Sequence, residues 1–227
     1  MRRLLAALGA AFVIAAVLPG LAAAADVYVS NGVLHFQGAP GEHNAVKIAT
    51  DSDFIVVTDT GALITHGPGC FNGVPSHTVA CDPTAATSAA ADLGDQDDSL
   101  AVDPAFPLPA QLRGGNGNDV LRGGNQGESL FGDAGNDTLD GRAGSDLMVG
   151  GVGRDSADYS TRTGAVTVTL AGADDDGGPG EHDNVAGDVE VALGGSGDDE
   201  LTGNANVNSL VGGAGTTSCR AAAAPTC

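Results

Sequence analysis

The sequence predicts an all-β fold built from stacked short repeats, on three observations. A nine-residue pattern recurs without a gap from Gly114 to Asp158, as GGNGNDVLR, GGNQGESLF, GDAGNDTLD, GRAGSDLMV and GGVGRDSAD. Its sixth position returns an acid each time (Asp119, Glu128, Asp137, Asp146, Asp155) and its eighth an apolar residue (Leu121, Leu130, Leu139, Met148, Ala157). Elsewhere, short apolar runs are bounded by Gly, Asn and Pro, the signature of strands. A register held over five units defines a repeat architecture in which no unit buries a core alone.

The letters of one repeat have physical reasons. Glycines at the first, second and fourth positions admit left-handed or crowded backbone dihedrals, so the first six positions can close a tight turn with carbonyl oxygens directed inward. The sixth-position carboxylate adds a charged oxygen to that concavity. Oxygen-only ligation of flexible geometry suits Ca2+, a hard cation that takes six to eight such ligands. Positions seven to nine are too short for an independent strand but can pair with a neighbour, the eighth side chain entering a shared core.

These repeats resemble the RTX (repeats-in-toxin, hemolysin-type) calcium-binding nonapeptide, whose consensus is G-G-x-G-x-D-x-U-x with U apolar. The resemblance implies a right-handed parallel β-roll, a solenoid in which two nonapeptides complete one coil and Ca2+ lies between consecutive coils on the same edge. It implies that Asp119, Asp137 and Asp155 stack along one edge and Glu128 and Asp146 along the other. Backbone carbonyls of the turns join them, including those of Gly115, Gly117, Gly135, Gly144 and Gly153. The second repeat departs from the pattern at Gln126 and Glu128, which should weaken its site.

In chain order, residues 1–25 read as a secretory signal: Arg2 and Arg3, an apolar run from Leu4 to Leu18, and a small-residue cleavage region at Ala22 to Ala25. Export to the extracellular space or cell surface follows, with no stable membrane insertion after cleavage. Residues 26–90 read as a small β-hairpin cap. Asn31-Gly32 joins two short strands, residues 50–53 join a second pair, and Ala62 to Thr65 can add a strand. Such a unit would cover the bare end of a solenoid. Four cysteines in an exported chain should pair. Three connectivities are open, and Cys70–Cys81 with Cys219–Cys227 are the local choices.

The β-roll is expected over residues 91–215. Ala91 to Leu100 reads as a degenerate repeat with Asp98 at the acidic position, and the Pro-rich segment 103–109 can bulge out to absorb the extra residues before Asp119. The core repeats cover 114–158. A strand and an acidic loop, rich in Asp174 to Asp176, Glu181 and Asp183, interrupt them over 159–193. Repeats resume over 194–215 with Asp199 and fade at Asn208, leaving 216–227 as a tail.

The chain carries 29 acidic against 9 basic residues, a formal charge of −20 that excludes nucleic-acid binding. It has no H-E-x-x-H, G-x-S-x-G or G-x-x-x-x-G-K, and its histidines at 35, 43, 66, 77 and 182 show no ligand spacing. Two Pro-Gly-Glu-His tetrapeptides, ending at His43 and His182, read as surface turns. The sequence therefore points to a secreted calcium-binding protein without catalysis of its own. The alternatives are a calcium-stabilised adhesion or matrix module with a glycan or cell-surface partner, and the repeat portion of a larger exoenzyme.

Overall fold

The computed structural model describes residues 24–71 and 76–220. Strands β1 (Ala25–Ser30) and β2 (Val33–Gln37) form a hairpin across Asn31 and Gly32, whose φ of 51° and 78° supply the left-handed pair a two-residue turn needs. Strands β3 (Ala45–Thr50) and β4 (Ile55–Asp59) form the second hairpin, closed by Asp51 Oδ1 accepting the amides of Asp53 and Phe54. β5 (Ile64–His66) joins β1 in parallel, and β7 (Thr78–Cys81) pairs with both β4 and β6 (Cys70–Phe71). Cys70 and Cys81 face each other across β6 and β7 in a disulfide. Cys219 is also disulfide-bonded, and its expected partner Cys227 lies outside the described residues. So does the expected signal segment apart from Ala24 and Ala25, of which Ala25 opens β1 and is fully buried.

The chain then winds between two faces. β8 (Ser88–Asp95) lies on the first and β9 (Ser99–Val102) on the second. The alternation repeats with β10 (Ala110–Asn116) and β11 (Val120–Arg122), β12 (Ser129–Gly135) and β13 (Thr138–Asp140), and β14 (Leu147–Gly153) and β15 (Ser156–Asp158). All pairings along each face are parallel, as in a β-roll. Leu112, Leu130 and Met148 are cross-strand partners on one face and Leu121, Leu139 and Ala157 on the other, all at 0% exposure. The eighth position of the repeat is therefore the core. The cap is continuous with the roll, because β2 pairs in parallel with β8 and β3 with β9. The extra residues before Asp119 fall between β9 and β10, and Phe106 turns back from them into the core at 1% exposure.

Three details differ from the sequence expectation. The two edges turn differently: β10, β12 and β14 run through the first glycines of their repeats, so a six-residue turn occurs only at the other edge, as in residues 123–128 and 141–146. The interruption is out of chain order. β16 (Thr167–Thr169) precedes β17 (Asn184–Val185) in sequence, yet β17 pairs with β14 while Gly172, just after β16, donates to the Val185 carbonyl on the far side. β18 (Val191–Leu193) then continues the second face on β15, β19 (Glu200–Thr202) pairs with β16, and β20 (Ser209–Val211) with β18. Finally, part of the expected tail is ordered: β21 (Ser218–Arg220) pairs with β19.

The fourth-position glycines fix how closely coils approach. Gly135 has φ +141°, and a Cβ there would meet the Gly117 carbonyl oxygen at 1.6 Å. Gly135→Ala is expected to lower stability by about 2 kcal/mol or more. Gly164→Ala, with no atom within 4 Å of the added carbon, should leave it unchanged. Urea denaturation of both variants in calcium checks this.

Candidate metal centre

The short strands β9, β11, β13 and β15 of the second face each follow an acid, namely Asp98, Asp119, Asp137 and Asp155, and all four are at most 3% exposed. Each carboxylate reaches back one coil. Asp119 Oδ1 accepts the amide of Asp98 at 2.8 Å, Asp137 Oδ1 that of Asp119 at 2.8 Å, and Asp155 Oδ1 that of Asp137 at 2.9 Å. The run extends at both ends: Asp98 Oδ1 accepts the Asn44 amide at 2.6 Å, and Glu190 Oε2 accepts the Asp155 amide at 2.9 Å. On the other edge Asp146 Oδ1 takes the Glu128 amide at 2.7 Å and Asp183 Oδ1 the Asp146 amide at 2.9 Å.

The second oxygen of each group is the chemically informative one. Oδ2 of Asp98, Asp119, Asp137, Asp146 and Asp155, and Oε1 of Glu128, are buried and accept no hydrogen bond. The first glycine of each repeat makes room beside them: a Cβ at Gly114, Gly132, Gly141 or Gly150 would lie 2.3, 2.3, 2.5 or 2.6 Å from Oδ2 of Asp119, Asp137, Asp146 or Asp155 respectively. Leaving a buried acceptor unmatched costs on the order of 1–3 kcal/mol, more when it is charged. A hard cation satisfies such oxygens, and the donor set, all oxygen, fits Ca2+. Among the described residues no three His, Cys, Asp or Glu side chains converge on one point. A cation on these edges would therefore draw on one or two carboxylates together with carbonyl oxygens.

The other expected residues fall as follows. Glu128 uses its longer side chain to fold Oε2 back onto the Gly124 amide at 2.9 Å, keeping one free oxygen despite Gln126. Asp199 sits apart on the sheet of β16, β19 and β21, and both its oxygens are occupied, Oδ1 by the Val166 amide at 3.0 Å and Oδ2 by the Gly195 amide at 2.9 Å. It lacks the unmatched oxygen that marks the others. Gly115 lies within β10 between Gly94 and Asp133 of the neighbouring strands. The carbonyls of Gly117, Gln126 and Gly135 face the α-carbons of Gly135, Gly144 and Gly153, forming short stacks along the edges.

Asp183 and Glu190 were not singled out as edge ligands by the period. They stand 37 residues after Asp146 and 35 after Asp155, off the repeat. The signal that finds them is the acid-x-apolar spacing itself, kept in Asp183-Asn184-Val185 and Glu190-Val191-Ala192. Asp183 differs from its neighbours in that its Oδ2 accepts the buried Tyr159 hydroxyl at 3.0 Å. Asn208 sits at an acidic position, 5% exposed, with both amide atoms unpartnered.

Electrostatics follow from this stacking. Burial, with the carboxylate one coil away adding repulsion, pushes the Asp119, Asp137 and Asp155 carboxyls up to about 6; Asp98 rises to about 6 through burial and the nearby Asp59. Burial raises Asp146 to about 8, helped by Asp183 and Glu128.

Fold and edges together define a parallel β-roll repeat protein whose coils meet through stacked, half-satisfied carboxylates. Residues 111–126, 122–157 and 186–217 match the family model of the RTX calcium-binding nonapeptide repeat (4 copies), so the chain carries RTX repeats and is a calcium-binding repeat protein. No curated protein and no solved structure matches the chain.

The raised carboxyls set a pH dependence for the metal-free fold. An unfolded Asp titrates near 4, so between about pH 4 and 6 the folded state binds more protons than the unfolded one, and for Asp146 up to about 8. Stability of the metal-free protein must then fall as pH rises through that window. Calorimetry in chelator should give the highest melting temperature near the acid end and a progressive fall toward pH 8. A melting temperature that climbs over this range contradicts the assignment.

Proposed function

We propose that this is a secreted calcium-binding protein whose roll folds when Ca2+ bridges successive coils, with no catalysis of its own. The observation that carries the reading is the row of buried carboxylates, each holding one oxygen on the preceding coil and keeping the other unmatched. Neighbouring strands lie about 4.8 Å apart. At an effective dielectric of about 20, two ionised carboxylates at that spacing repel by roughly 3 kcal/mol. Asp98, Asp119, Asp137 and Asp155 make three such intervals in a row. Their sum rivals the whole stability of an ordinary domain, about 5–15 kcal/mol.

The apolar core of each coil is too small to offset that repulsion and the chain entropy, so the metal-free roll is expanded at neutral pH. Cation binding then supplies folding free energy directly. Low calcium inside a cell would keep the chain export-competent, and higher calcium outside would fold it. The Cys70–Cys81 disulfide fits an oxidising compartment. Among the described residues no helix is long and apolar enough to cross a membrane.

One observation favours a second reading, an adhesion module with structural calcium. Phe54 and Phe71, 37% and 47% exposed, meet edge to face at 5.0 Å on the cap. Calcium titration followed by circular dichroism, with magnesium as control, tests the main reading. A cooperative gain of β-structure with calcium alone is expected, and its absence would sink the reading. Asp119→Ala and Asp137→Ala should raise the calcium midpoint most, because each has an aspartate of the row on both sides. Asp199→Ala should move it least.

A further inference from the structure

At the seam where the β3–β4 hairpin meets the first coil, the row of edge acids ends at Asp98, and two cap residues add further unmatched oxygens beside it. Asp59, the last residue of β4, is 0% exposed. Its Oδ1 accepts the amides of Ala45, Gly61 and Ala62 at 2.8, 2.8 and 3.2 Å, while its Oδ2 is buried and accepts nothing. Asp98 spends Oδ1 on the Asn44 amide and leaves Oδ2 in the same condition. Asn44, 2% exposed, is oriented by its Nδ2 donating to the Leu93 carbonyl at 3.0 Å, and its Oδ1 is buried without a donor. The two carboxylates are thus tethered to consecutive amides, those of Asn44 and Ala45. Beyond its burial, Asp98 senses the Asn44 amide and side chain, the charge of His43 and, least, the charge of Asp59.

We propose that Asn44 Oδ1, Asp59 Oδ2 and Asp98 Oδ2 form a separate divalent-cation site that takes calcium and clips the β3–β4 hairpin to the first coil. Three oxygen donors, two of them charged and none nitrogen or sulfur, select a hard cation. Two buried carboxylates, of which Asp98 alone has the His43 ring acting on it, carry more negative charge than that ring can balance and so favour a cation. Asn44 and Asp59 lie outside the residues that match the nonapeptide family, and Asp98 is the one ligand shared with the row of edge acids. The β3–β9 pairing begins at Ala45 and Ser99, next in sequence to Asn44 and Asp98. A cation there would hold the register of cap on roll.

The test is calorimetric calcium titration of the full chain after chelator treatment, with hydrogen exchange in parallel. Asp59→Asn keeps an oxygen for the three amides but removes the charge. It should lower the stoichiometry by one and abolish calcium-dependent protection of residues 45–59 while sparing that of 120–157. Asn44→Asp adds a carboxylate and should tighten this site by about tenfold or more. In an Asp137→Asn, Asp155→Asn double variant, calcium should still protect 45–59. Unchanged stoichiometry and protection in a folded Asp59→Asn variant would overturn the proposal, and so would weaker binding in Asn44→Asp, which decides alone if the first variant does not fold. Loss of protection confined to 120–157 in the double variant leaves the seam site standing. A wild-type chain that takes up no calcium removes both this site and the roll reading.

Discussion

Each coil of the roll offers the backbone amide of its acidic position to the carboxylate of the coil that follows, and most of the architecture is a consequence of that hydrogen bond. It draws one oxygen of each acid under the edge of the sheet, as with Asp137 on the Asp119 amide, and so takes the whole carboxylate out of water. The second oxygen is then stranded, because the neighbouring amides are already committed to the parallel ladders. Glycine at the first position is required by the same contact, since any side chain at Gly114 or Gly132 would occupy the space beside that oxygen. Coil spacing, composition and the demand for a cation are therefore one constraint seen three ways.

The two edges answer that constraint unequally. The edge from Asn44 through Asp98, Asp119, Asp137 and Asp155 to Glu190 is an unbroken chain of amide-to-carboxylate bonds. The opposite edge starts at Glu128 and ends at Asp183, where the Tyr159 hydroxyl supplies the donor that a cation would otherwise replace. Two of the non-glycine residues at left-handed positions have side chains with partners of their own. Asp133, at φ 71°, forms a two-oxygen contact with Arg113 at 2.9 and 3.0 Å. Arg142, at φ 61°, donates to the carbonyls of Val102 and Gly123. The strain of such a backbone, about 1–3 kcal/mol, is offset locally.

What was legible in the sequence is what obeys the period. Acids and apolar residues in phase over 114–158 identified the core and both edges, and Asp98 was reachable despite its displaced spacing because acid and leucine kept their separation. Legibility failed where phase is set by tertiary contact. β17 lies against β14 ahead of β16, so counting residues through 159–193 misassigns the rungs and hides Asp183 and Glu190. Asp199 keeps the motif exactly as its neighbours do, yet its second oxygen is taken by the Gly195 amide, which no spacing rule reveals. The unequal turns likewise depend on strand partners such as Gly94 for β10 and Gly151 for β12, which extend those strands past the point where the repeat alone would turn.

Stability is divided along the chain in a way that explains why the cap and roll share sheets. The cap buries Ile48, Ile55, Val57, Ile64 and Val79 at 1% exposure or less and carries the Cys70–Cys81 disulfide. These are apolar and covalent contributions that persist whether or not a cation is present. Each coil of the roll contributes little more than two core side chains and a pair of edge acids, so its cohesion is electrostatic and conditional. Because β2 and β3 present their edges directly to β8 and β9, the cap can hold a template while the roll is loose. In a structure whose units contact only their neighbours, order then propagates outward from that template one rung at a time. The seam at Asn44, Asp59 and Asp98 is the point where the unconditional part of the fold meets the conditional part, which is where a first cation has the largest effect on everything beyond it.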